Sequence, residues 1–151
     1  SRTPRDVHAI GYRCPCGKPA VVETPPRLSD GTPFPTFYYA TCPRLTGAIS
    51  TLESSGLMAE MNERLAQDPD LAAAYAKAHE AYLVDRDALG INVEEVEGIS
   101  AGGMPDRVKC LHSLVAHSLS AGPGVNPLGD EALSKLPQWW KENPCNTEMN
   151  A

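Results

Sequence analysis

Prolines decide what the first third of this chain can become. Pro15, Pro19, Pro25, Pro26, Pro33, Pro35 and Pro43 follow one another too closely for a helix of useful length before residue 43. Each lacks an N–H and clashes with the preceding helical turn. What remains is extended chain broken by turns. Val7 to Arg13 and Ala20 to Glu23 read as strands, and Ser29-Asp30-Gly31 as a turn. Thr36 to Thr41 is the best strand, three adjacent aromatic residues and an alanine between β-branched threonines.

Beyond Cys42-Pro43 the period changes. Proline suits the first helical position, and Leu45, Ile49 and Leu52 repeat at helical spacing. Gly56 interrupts, then Leu57, Met61 and Leu65 resume. Asp68-Pro69 is a second cap-plus-proline start, followed by the stripe Leu71, Tyr75, Ala78 and Tyr82. The acidic segment Val93 to Glu97 and the run Gly98 to Gly103 form a connection. Pro105 or Val108 opens a further helix reaching about Leu119. Ser120 to Gly129 reads as a loop, within which Asn126-Pro127 resembles a helix entry, and a short helix from Asp130 carries Trp139 and Trp140. Strands first and helices after predict an α+β fold, a small and mainly antiparallel sheet from the N-terminal third packed against three to four helices. One domain is expected over residues 1–142, with a frayed tail over 143–151.

The net charge of −6 argues against a broad nucleic-acid surface. No stretch approaches the ~20 apolar residues of a membrane span, and Ser1 to Ile10 carries no signal-peptide hydrophobic region. The expected compartment is the cytoplasm, where thiols stay reduced. The five cysteines then point to metal or thiol chemistry and away from disulfides. No Walker loop, dinucleotide fingerprint or H-E-x-x-H is present.

Four of those cysteines sit beside residues that fix local geometry: Cys14-Pro15-Cys16-Gly17, Thr41-Cys42-Pro43 and Lys109-Cys110-Leu111-His112, with His117 close behind. Sulfur is a soft ligand and a tunable nucleophile. The leading expectation is a metal centre in which Cys14, Cys42 and Cys110 converge at one end of the sheet. Zinc is the first candidate and an iron–sulfur cluster the second, with Cys16, His112 and His117 as further ligand candidates. Helical geometry sorts the histidines. His117 lies about 10.5 Å along a helix axis from Cys110, a long reach for one ion. His112 shares a site with Cys110 only if the helix begins at Leu111.

A second reading is a thiol-dependent enzyme with Cys42 or Cys110 as nucleophile and His112 or His117 as base. At a helix N-terminus Cys42 would feel the positive end of the dipole, with Arg44 adding to it. A third is a non-catalytic adaptor docking a partner through Trp139 and Trp140. Plain packing is the simpler explanation of those tryptophans, and a hydrogen-bonded structural role explains each histidine equally well.

Arg13-Cys14-Pro15, Gly17, Pro19-Ala-Val21, Pro33-Phe-Pro-Thr36, Thr41-Cys42-Pro43, Val108-Lys-Cys-Leu-His112, His117 and Asn126-Pro-Leu-Gly129 occur in an order that resembles a short bacterial family catalogued as domain of unknown function 501. The resemblance runs from about Val7 to Gly129 and brings no established activity. It implies that Cys14, Cys42, Cys110, His112 and His117 occupy family positions. Cys16 departs from the pattern, since many relatives carry an aromatic residue there, which favours three cysteines plus a histidine, or an open coordination position. Frequent gene neighbours in the family imply a partner in division or phosphate metabolism. Cys145 lies outside the matched region.

Overall fold

The computed structural model describes residues 6–141. Three short strands, β1 (Ala9–Arg13), β2 (Pro19–Glu23) and β3 (Tyr38–Ala40), form an antiparallel sheet in the order β1-β2-β3. Ile10 faces Val22 across β1 and β2, and Val21 faces Ala40 across β2 and β3. The prolines between β2 and β3 leave Tyr38–Ala40 as the paired portion of the longer aromatic run. Because β1 and β3 both run antiparallel to β2, the chain leaves the same end of the sheet at Cys14 and at Cys42.

Five helices follow: α1 (Pro43–Glu53), α2 (Leu57–Gln67), α3 (Pro69–Asp87), α4 (Leu111–Ala121) and α5 (Pro127–Ser134). Proline opens α1, α3 and α5. Asp68 caps α3 by accepting from the amides of Asp70 and Leu71, and Asn126 caps α5 by accepting from Gly129 at 2.9 Å. α4 lies at the centre, packed on all three strands and on α1 and α5. Its buried residues Leu111, Leu114, Val115, Ala116, His117 and Ser118 leave little polar face, as a helix enclosed by neighbours requires. Gly129 permits the α4–α5 contact, since a Cβ there would collide with the Leu114 carbonyl and the Ser118 hydroxyl.

The α+β expectation therefore holds, with five helices in place of three to four. Two boundaries differ. α4 begins at Leu111, not at Pro105 or Val108, because the backbone before it is committed elsewhere. Asn62 receives the Val108 N–H at 2.8 Å and donates to the Val108 carbonyl at 3.0 Å, while the Lys109 N–H bonds to the Gly102 carbonyl at 2.7 Å. α5 starts at Pro127 and ends at Ser134, so Trp139 and Trp140 lie beyond it in a turn. Trp139 is buried in the core, and Trp140 meets it edge-on at 4.7 Å. The tail expected over 143–151, with Cys145, lies outside the described residues. No described helix is long and apolar enough to cross a membrane.

Long polar contacts fasten α3 to the sheet. The Tyr82 hydroxyl accepts from the amides of Phe37 at 2.6 Å and Tyr38 at 3.1 Å, and Tyr38 donates its own hydroxyl to Asp85 at 2.7 Å. Arg86, a residue 3% exposed, donates from its guanidinium to the carbonyls of Pro35, Ile99 and Val96 at 2.6–2.9 Å. A buried cation is tolerable only when its donors are met. Here backbone carbonyls from two loops meet them. Arg86→Met keeps much of the volume and strands three carbonyls, so it should lower unfolding stability by about 3 kcal/mol. Urea denaturation at pH 7 measures this, and a loss below about 1 kcal/mol would mean that water replaces the guanidinium.

Candidate functional site: a thiol, an imidazole and a carboxylate

Polar residues on α1 form a stripe at Thr46, Ser50 and Glu53, beside the apolar stripe Leu45, Ile49 and Leu52. The N-terminus of α4 docks against that polar stripe. Glu53 Oε2 accepts from the Leu111 amide at 2.8 Å and lies 3.1 Å from His112 Nδ1. His112 Nε2 faces the Thr46 carbonyl at 3.3 Å and the Ser50 hydroxyl at 3.4 Å. Cys110 is the N-cap residue of α4. Among the described residues, its sulfur, a Glu53 oxygen and a His112 nitrogen form the one group of donor atoms lying within 4.8 Å of one another.

The protonation of His112 follows from its neighbours. A carboxylate and a carbonyl oxygen are acceptors only, and one lies against each ring nitrogen. The ring satisfies both by carrying two protons. The hydrogen bond to Cys110 favours that cation most, and Glu53 adds to it, so His112 titrates at about 9 despite its partial burial. Burial pushes the Cys110 thiol up, but its hydrogen bonds to His112 and to the Ser113 amide outweigh this and bring it below its ordinary value. The start of α4 favours both nearby anions as well. Both shifts run in the direction that favours a thiolate beside an imidazolium, with Glu53 holding the ring.

Cys110, His112 and Ser113 line a cleft of about 360 Å³ whose opposite wall is Phe34, Tyr38, Tyr39 and Ala40. Phe34 and Tyr39 stand 6.1 Å apart, centroid to centroid. The thiol thus opens onto an aromatic surface.

The other residues singled out in the sequence lie elsewhere. Cys14 and Cys42 are buried in the core and Cys16 is exposed, and none of the three joins the donor group. Among the described residues, Cys110 groups within 4.8 Å with Glu53 and His112, and the expected set of Cys14, Cys42 and Cys110 is not such a group. The four described cysteines are thiols. His117 is fully buried, stacked on Tyr38 at 5.8 Å and edge-on to Tyr82 at 5.1 Å. Its Nδ1 accepts from Asn126 at 3.2 Å, which leaves the proton on Nε2. It is a core residue, outside the donor group. Glu53 is the member of the site that sequence reasoning missed. Its place seven residues after Thr46 and three after Ser50 was the available signal.

The fold and site together define an α+β protein with a paired thiol and imidazole at the head of its central helix. A family model described as "Protein of unknown function (DUF501)" matches residues 10–134, and the chain belongs to that family. No curated protein and no solved structure matches it.

Two outcomes follow. The alkylation rate of Cys110 should rise with a midpoint below the ~8.5 of a free thiol, and His112→Asn should move it up, because burial is then opposed only by the Ser113 hydrogen bonds. A wild-type midpoint at or above 8.5 would contradict the ion pair. Burial pushes His117 down to about 4, far below the ordinary 6.5. The unfolded chain therefore takes up this proton first, and the associated stability is present above pH 6.5 and lost as pH falls toward 4. It amounts to roughly 3 kcal/mol. His117→Phe should remove this part of the acid sensitivity, so the stability gap between wild type and variant should narrow over that window.

Proposed function

We propose that this protein is a cysteine-dependent enzyme in which Cys110 is the nucleophile, His112 the general acid and base, and Glu53 the residue that orients the ring. The observation that carries this reading is the pair of acceptors on the two nitrogens of His112, which holds a proton on the ring and favours the thiolate beside it. A thiolate formed in the resting protein needs no separate deprotonation step before attack. After attack on an electrophilic centre in the cleft, His112 supplies the proton to the leaving group. Water or a second substrate, activated by the then neutral imidazole, releases the group from sulfur. The aromatic wall excludes bulk water from one side of the thiol, and Glu53 keeps the ring from rotating away.

The test is iodoacetamide labelling at pH 6.5, read by peptide mass. Cys110 should react severalfold faster than N-acetylcysteine in the same solution, because an ordinary thiol is only about 1% ionised there. Glu53→Gln should slow Cys110 by loosening His112. A rate at Cys110 no greater than that of N-acetylcysteine would overturn the assignment.

A second reading rests on the three donor atoms within 4.8 Å of one another. Thiolate, carboxylate and neutral imidazole suit one zinc ion with an open fourth position. The ion would replace the ring proton of His112 and balance the two negative charges. An iron–sulfur cluster fits less well, because it is held by several thiolates and this group contains one sulfur. Near-stoichiometric zinc in protein purified without chelator, with Cys110 unreactive until EDTA is added, would favour this reading over the first.

A further inference from the structure

The cleft that holds Cys110 does not end at its aromatic wall. Thr36 also lines a second cleft of about 370 Å³, formed with the glycine-rich connection Gly102-Gly103 and with Asp106, Arg107 and Lys109. Lys109 and Cys110 are consecutive, so the thiol and the ammonium group stand on either side of the junction. The two clefts differ in character. The first presents Phe34, Tyr38, Tyr39 and Ala40 and, apart from the catalytic pair, no charged side chain. The second presents two cations and one carboxylate, and neither Arg107 nor Lys109 makes an ion pair among the described residues. In a chain of net charge −6, two exposed cations against one carboxylate beside a nucleophile are a local reversal of sign. The Gly102 and Gly103 backbone, both at positive φ, lies against 107–110 closely enough that a Cβ at either position would crowd it. This holds the cation-bearing segment against the loop.

Resting on the reading of Cys110 as nucleophile, we infer that the substrate is an acyl thioester with an apolar or aromatic acyl group and a phosphate-bearing leaving group. The acyl group lies against Phe34 and Tyr39, and the anionic remainder passes Thr36 to Arg107 and Lys109. Cys110 Sγ attacks the carbonyl carbon and forms a new carbon–sulfur bond. The original carbon–sulfur bond breaks, and its electron pair leaves on the departing sulfur, which takes the proton from His112. The acyl group is then carried on Cys110 until water or an acceptor takes it, with no redox change. An arginine and a lysine suit a phosphate group, and their attraction for it falls with ionic strength.

The experiment compares two probes with one acyl group: benzoyl-coenzyme A, which carries phosphates, and benzoyl-N-acetylcysteamine, which is neutral. S-acylation of Cys110 is followed by intact and peptide mass on the full chain. The phosphate-bearing probe should react about fivefold faster at low salt, and the advantage should shrink as salt rises. The double variant Arg107→Ala, Lys109→Ala should lose that advantage and still react with the neutral probe within about twofold. Both positions are exposed, and an unchanged iodoacetamide rate at Cys110 checks that the thiol environment survives. Equal rates for the two probes, or an advantage that persists in the double variant, would overturn the inference and leave the nucleophile in place. Acylation of Cys110 by neither probe would overturn both.

Discussion

One carboxylate oxygen, Glu53 Oε2, receives the first amide of α4 and a ring N–H of His112 together. Everything at the site depends on that double acceptance. It satisfies a helix-start donor that would otherwise be orphaned, so it fixes where α4 begins. It also fixes the imidazole, so it decides how the ring meets the Cys110 sulfur. Glu53 is the last residue of α1, an unfavourable end for a negative charge. The start of α4 compensates, which makes the junction of the two helices an electrostatic unit.

The N-terminal sheet was legible because proline leaves few alternatives, and α1 to α3 were legible because their starts are marked by Pro43, Gly56 and Asp68-Pro69. The start of α4 was not. Val108 continues the apolar spacing of Leu111 and Val115, and only the long-range bonds from Asn62 and Gly102 take its neighbourhood out of the helix. The Lys-Cys-Leu-His run named the chemistry, and the condition attached to His112, a helix beginning at Leu111, is met. Glu53 was invisible as a partner because the contact spans 59 residues. Local spacing carries no information about which helices dock. Which of the cysteines share a site is decided by the same docking, which no local pattern supplies.

The core is unusually dependent on hydroxyls and one guanidinium. Tyr82 and Arg86 meet backbone groups of the segments around Pro35–Tyr38 and Val96–Ile99. The first segment borders both clefts and the second borders the cleft of Arg107 and Lys109, so the clefts take their shape in part from polar bonds reaching out of α3. Irregular backbone at a site is held as firmly as regular structure when its carbonyls and amides are matched in this way.

Tyr38 belongs to three neighbourhoods at once. It lines the cleft, stacks on His117 and bonds Asp85. A guest too broad for the cleft therefore cannot be admitted by swinging this ring outward without breaking core contacts. The wall on that side behaves as a fixed gauge. Discrimination among guests then falls to their width, read by a surface with the stiffness of the interior, and any give needed for entry and departure must come from the rest of the cleft's rim.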